Sequence, residues 1–240
     1  MEKTSFQGAD LQNRRNFIQT GFLMTVATGI TGAGLFTGCG DEHDEEGQSV
    51  SPPEDLMQEH GLLNRILLIY DNCRERLSAG DDFPREALIN SANIVRTFVE
   101  DYHEKQEENY LFPRFRKANQ LTDLVATLLA QHQAGRTLTD QIIRFSSPKK
   151  MSENEKQKMM QLLTSFNTMY RPHESREDTV LFPAFRKLVS RHEYDALGEE
   201  FEKNEHRLFG EDGFATMVGK VETIEKSLGI YELSQFTPRL

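Results

Sequence analysis

Two stretches of this chain repeat each other in residue types that ligate metals. Residues 103–117 read HEKQEENYLFPRFRK and residues 173–187 read HESREDTVLFPAFRK, an offset of 70 (173 − 103). Two further histidines repeat as well, since Glu59-His60 and Gln131-His132 stand 72 residues apart (132 − 60). Glu107 follows His103 by four residues, as Glu177 follows His173, and residues four apart share one face of a helix. The repeating unit is therefore a helix pair with one histidine on its first member and His-x-x-x-Glu on its second. Two such pairs facing each other give a near two-fold site of His60, His103, Glu107, His132, His173 and Glu177. Imidazole and carboxylate without thiolate suit iron or manganese, with zinc as a common contaminant. The chain's two cysteines, Cys39 and Cys73, are too few for a disulfide scaffold or a thiolate zinc site.

The elements that must position these groups are legible as apolar stripes at 3–4 spacing. His60 sits with Leu56, Leu63, Leu67 and Tyr70, and His103 continues Leu88, Ala92, Val95 and Val99. His132 follows Leu121, Val125 and Leu128 ahead of Ile142, and His173 follows Leu162, Phe166 and Tyr170 ahead of Val180. Ser51-Pro52-Pro53-Glu54, Ser152-Glu153-Asn154-Glu155 and Ser190-Arg191-His192-Glu193 read as capping boxes. Ala79-Gly80 reads as a stop, Asp82-Phe83-Pro84 as a start, and Asn119 as a further cap. These signals predict helices over about 53–78, 84–117, 120–146, 153–188 and 191–208. No segment alternates with period two, so no sheet is expected. The fold class is all-α: an up-down-up-down antiparallel four-helix bundle over 51–190, then a fifth C-terminal helix, striped by Tyr194, Leu197, Phe201 and Leu208, and a tail over 191–240 in which Val221–Lys226 reads as helical and Gly229 as its end. Carboxylates on core-facing stripes need a compensating partner. No Lys or Arg stands at the same depth on these four stripes, so a cation shared by imidazoles and carboxylates resolves the cost.

At these residues the chain resembles the hemerythrin-like, or HHE cation-binding, family. The resemblance covers 51–190 and rests on Glu59-His60, the His-Glu-x-x-Glu of 103–107, Gln131-His132, the His-Glu-x-x-Glu of 173–177, and the Leu-Phe-Pro after each second motif. It implies a four-helix bundle around a non-haem di-iron centre. His60, His103, His132 and His173 would be terminal ligands, and Glu107 and Glu177 would bridge two iron ions, with manganese or zinc as alternatives. Open positions would take O₂, NO or peroxide. The oxygen-carrying members place a second histidine four residues after the one on the third helix, where this chain has Arg136. That argues against reversible O₂ carriage. Asp178 fits the His–Asp spacing of those members, whereas Glu177 fits the internal repeat and is preferred. Glu104 and Glu174 are further candidates, because the equivalent glutamate ligates in some iron-sensing members; the favoured reading makes them solvent-facing. His206 lies off the stripe of its helix, His192 belongs to a cap, His43 to a linker, and Cys73 to the core. Pro172 kinks the fourth helix beside His173, Pro113 and Pro183 bend both motif helices, and Tyr102, Tyr110 and Tyr170 lie near the site.

The first 38 residues do not belong to the bundle. Arg14-Arg15 precedes an uncharged stretch ending in Leu35-Phe36-Thr37-Gly38-Cys39, which resembles a twin-arginine export signal closed by a lipobox. Cleavage would leave Cys39 as a lipidated first residue, followed by an acidic flexible linker over 39–50. The expected location is the periplasmic or cell-envelope side, with membrane attachment through a lipid at Cys39 as the first reading, a cleaved soluble protein as the second and an uncleaved membrane anchor as the third. A net charge of −10 without a basic block excludes nucleic acid as a partner. Three functions compete: a di-iron protein that binds or senses O₂, NO or iron; a di-iron enzyme of peroxidase-like, NO-reducing or iron-sulfur-repair type; and a metal-free structural bundle.

Overall fold

The computed structural model describes residues 51–80, 85–146 and 151–238; the export signal, Cys39 and the linker with His43 lie outside them. Helix α1 spans Pro52–Ala79. Its start is fixed by Ser51, whose N–H and hydroxyl both donate to the Glu54 carboxylate (3.1 and 2.7 Å). Gly80 ends it at φ +76°, a left-handed conformation that glycine adopts without a Cβ penalty. Helix α2 runs from 85 to 117 and α3 is Thr122–Phe145. Helix α4 runs from 153 to 188, its first turn closed by the reciprocal Ser152–Glu155 bonds. Helix α5 is Arg191–Phe209 and α6 is Gly213–Leu228, followed by a 3₁₀ turn at Leu233–Phe236. The described residues contain no strand, and none of their helices is long and apolar enough to cross a membrane.

Helices α2 and α4 are not plain α-helices. Both pass through a π-helical turn, Glu107–Leu111 in α2 and Glu177–Leu181 in α4. The N–H of Phe112 reaches back to the Glu107 carbonyl, and that of Phe182 to the Glu177 carbonyl. Each turn lies one residue before the Phe-Pro pair of a Leu-Phe-Pro motif. A proline in a helix lacks an N–H and crowds the carbonyl four residues back; the wider turn makes room for it. The bends expected at Pro113 and Pro183 thus take the form of π turns. The extra residue rotates the next part of the helix, so Leu181 and Phe182 point inward in α4 while Val180 is only half-buried. A longer π run, Val95–His103, precedes the first motif.

The apolar interior forms two clusters with a polar layer between them. One contains Leu63, Val99, Ile142, Phe166 and Tyr170. The other contains Leu56, Phe112, Leu128, Phe182 and Phe201. Along every bundle helix the histidine stands where the stripe passes from one cluster to the other: His60 after Leu56, His103 after Val99, His132 after Leu128, His173 after Tyr170.

In the C-terminal tail the helical stretch expected at 221–226 belongs to a longer helix that starts at Gly213. Helix α6 buries Met217, Val221, Ile224 and Leu228 in the first cluster. It is clamped to α1 by Arg65, whose Nε donates to Glu225 (3.0 Å), and by Arg76, which donates to the Leu228 carbonyl (2.7 Å). Two smaller expectations fail. Asn119 does not cap α3: Asn119 and Leu121 both take positive φ (54° and 48°), and Leu121 turns 36% exposed at the helix entrance. On α5, Leu208 leaves the stripe at 46% exposed, while Glu205, close to that stripe in sequence, is buried.

Cys73 is fully buried, and burial raises its thiol to about 12. Because the thiolate is the reactive form, the folded chain carrying Cys39→Ser should resist an aromatic disulfide reagent at about pH 8 and react promptly once unfolded in guanidinium. Rapid modification of the folded protein would contradict this burial.

Candidate metal centre

The structure brings all six repeat-derived residues into the polar layer. Ligating atoms of His60, His103 and Glu107 lie within 4.8 Å of one another, as do those of His132, His173 and Glu177. The two triads interlock through their carboxylates. Glu107 lies 4.0 Å from His103 Nε2 and 3.4 Å from His132 Nε2. Glu177 lies 3.2 Å from His173 Nε2 and 3.4 Å from His60 Nε2. Each carboxylate therefore faces one histidine from either triad.

Every imidazole is held by its other nitrogen. Nδ1 of His60 donates to Asp178 (2.7 Å), of His103 to Glu59 (2.8 Å), of His132 to Glu108 (3.1 Å) and of His173 to the Gln131 carbonyl oxygen (2.9 Å). These contacts obey the repeat, since Asp178 matches Glu108 and Gln131 matches Glu59. An Nδ1–H so engaged leaves the Nε2 lone pair for a cation. Aromatic rings complete the setting: Phe182 stacks on His60 (5.6 Å) and Phe112 on His132 (5.5 Å). The phenylalanines of the two Leu-Phe-Pro motifs thus pack against the histidine of the opposite helix pair.

The charges suit a bound cation. His60 Nε2, His132 Nε2 and both oxygens of Glu107 and Glu177 are buried without a hydrogen-bond partner among the described residues. Such orphans are costly in a protein interior. Burial, with Glu177 nearby, pushes Glu107 well above the usual carboxylate range. For Glu177, burial is outweighed by His173 and His60, which hold it low. Burial lowers His103, and lowers His132 to about 4; for His60, Asp178 and Glu177 outweigh burial and raise it. The residues fit a pair of cations, which would favour ionised carboxylates and neutral imidazoles together.

Glu104 and Glu174 are buried, 1% and 2% exposed, not solvent-facing as expected. Glu104 accepts from the Tyr170 hydroxyl (2.8 Å) and pairs with Arg136 (2.6 Å). Glu174 accepts from Asn64. Arg136 also pairs with Glu108 (2.7 Å). A cation therefore does reach the depth of the stripes, where it serves Glu104 and Glu108. Asp178 orients His60. Tyr170 packs on His173 (5.5 Å), whereas the Tyr110 hydroxyl meets Glu200 and Asn204 of α5, and Tyr102 packs on Phe98 and Phe209. His206 is half-buried near the end of α5, and His192 is exposed in the first turn of that helix. Sequence reading missed Glu59, Glu108 and Gln131 as orienting partners; the repeat of Glu59-His60 in Gln131-His132 was the available signal for two of them.

Fold and side-chain cluster together define a class: helical bundles whose core carries paired His/Glu triads suited to metal ions. Within that class the chain belongs to the hemerythrin family, since the model of the hemerythrin HHE cation-binding domain matches residues 51–185. Among curated proteins it is similar to the uncharacterized protein Mb2018 of Mycobacterium bovis and the uncharacterized protein Rv1995 of Mycobacterium tuberculosis. Each is 48% identical over 199 residues, covering 82% of this chain and 78% of the relative. No solved structure matches the chain.

Proposed function

We propose that this protein is a non-haem di-iron protein that binds or senses a small ligand such as O₂, NO or iron itself. The observation that carries the reading is the set of orphaned atoms: two imidazole nitrogens and four carboxylate oxygens, buried and facing one another. His60 and His103 would hold one ion, His132 and His173 the other, with Glu107 and Glu177 shared. Two such ions would supply redox change and open coordination positions for a diatomic or peroxide ligand. The chain's own part is to aim four imidazoles through their Nδ1 partners and to keep the pocket dry with Phe112 and Phe182. The resemblance of residues 1–39 to a twin-arginine lipoprotein signal supports a place on the cell-envelope side, with a lipid at Cys39.

The test is metal content together with the near-ultraviolet and visible spectrum. About two irons per chain are expected after anaerobic reconstitution, falling to about one or fewer in His103→Ala with loss of the visible bands. No bound transition metal, and a spectrum unchanged by His103→Ala, would sink this reading in favour of the metal-free bundle. Catalytic consumption of peroxide or NO with a reductant would favour the enzyme instead.

A further inference from the structure

We infer that the two metal positions are unequal, the one at His60, His103 and Glu107 binding its ion more tightly, and that Glu59 and Gln131 are the positioning residues that set them apart. The inference rests on the two-ion reading above. Glu59 and Gln131 occupy equivalent places in the repeat and make equivalent bonds, to His103 Nδ1 (2.8 Å) and His173 Nδ1 (2.9 Å). They differ in charge. A carboxylate that accepts the Nδ1 proton makes the imidazole a stronger donor to a metal, and a neutral amide does so far less.

Two further differences act in the same direction. His60 is backed by Asp178 at 2.7 Å, but the matching carboxylate, Glu108, sits 3.1 Å from His132 and is shared with Arg136 (2.7 Å) and Lys105 (2.5 Å). The negative charge behind His132 is thus partly spent on two cations. Arg136 itself stands where the other half has the neutral Asn64 (136 − 64 = 72, the spacing of the two first-helix histidines). It places a fixed positive charge, only 15% exposed, beside the His132 triad. Paired with Glu104 and Glu108, it cancels negative charge that would otherwise favour a cation there, whereas Asn64 leaves the carboxylates of the other half uncompensated. The near two-fold symmetry of the ligands is therefore not a symmetry of their surroundings.

The metal-free full chain should be titrated with cobalt(II), followed by visible absorption and equilibrium dialysis. Two steps are expected, with constants about 10–100-fold apart, the size of effect typical of partners behind metal ligands. The isosteric Glu59→Gln should weaken the first step toward the second. Gln131→Glu should strengthen the second toward the first. His173→Ala should retain the tight step and His103→Ala only the weak one. Two equal steps in the wild type, or a second step unmoved by Gln131→Glu in protein with unchanged helicity, would overturn the inference while leaving two bound ions. Failure of the folded wild type to bind any cobalt(II) would overturn the two-ion reading itself.

Discussion

Stripped of metal by a chelator, the protein is expected to melt about 10 °C or more below its loaded form. With free metal about a thousand times its dissociation constant, one site adds about 4 kcal/mol. A domain of this size moves about 2–4 °C for each kcal/mol. The pocket supplies the reason, because without a cation the apposed carboxylates Glu107 and Glu177 stay buried together. The gap should also widen with pH. Burial raises Glu174 to about 8 from its ordinary 4.5, and Glu107 is raised by burial and Glu177. A carboxyl raised in the folded state lends stability below its unfolded value and loses it as pH climbs toward the folded value. His60 loses its contribution in the same sense, as pH passes its raised folded value. His103 and His132, lowered by burial, act oppositely, but only below about 6.5. Between about pH 6.5 and about 8 the metal-free protein should therefore weaken, while bound cations hold the carboxylates ionised. Calorimetry with and without chelator across that window checks both parts. A melting temperature indifferent to the chelator would refute the metal's structural role.

Gly135→Ala should destabilise the protein by about 2–4 kcal/mol, although alanine is the better helix former by about 1 kcal/mol. A Cβ at Gly135 would lie 2.0 Å from the Tyr170 hydroxyl oxygen and 2.8 Å from its ring carbon Cζ. Tyr170 is buried among Phe166 and His173, so moving it disturbs packed neighbours. Displacing it breaks its bond to Glu104 and leaves that carboxylate leaning on Arg136 alone. Gly219→Ala in α6 is the control, since nothing lies within 4 Å of the added atom; it should be neutral or stabilising by up to about 1 kcal/mol. Denaturant melts of the two variants would settle the sign. A harmless Gly135→Ala would mean that Tyr170 does not sit against α3 as described.

The bundle and the six inward-facing residues were readable because each depends on one periodicity carried by its own helix. His60, His103, His132 and His173 interrupt apolar stripes that are almost entirely buried. What escaped depends on contacts distant in sequence. Val180 was expected inside, but the π turn at Glu177–Leu181 shifts the register, and no stripe analysis at a fixed angle per residue registers an insertion. Helix α6 was read only over its last turns because its N-terminal signal is not local. The N–H of Phe214 is satisfied by Glu205 from α5 (2.6 Å), and Gly213 is needed because a Cβ there would lie 2.8 Å from Phe209 Cβ. Glu104 and Glu174 read as surface charges because their partners, Arg136 and Asn64, sit on helices from the other pair.

That crossing of partners has a bearing on how the pocket comes into being during synthesis. His60 is aimed by Asp178, 118 residues downstream, and roofed by Phe182; His132 is aimed by Glu108 and roofed by Phe112 from the earlier pair. A nascent chain that has emerged only through α2 holds three of the six groups, with His60 still unaimed. At about 5–20 residues per second, several seconds pass before α4 leaves the ribosome. Half a chain therefore offers no finished cradle, and the ion would have to find a bundle already closed around all four helices.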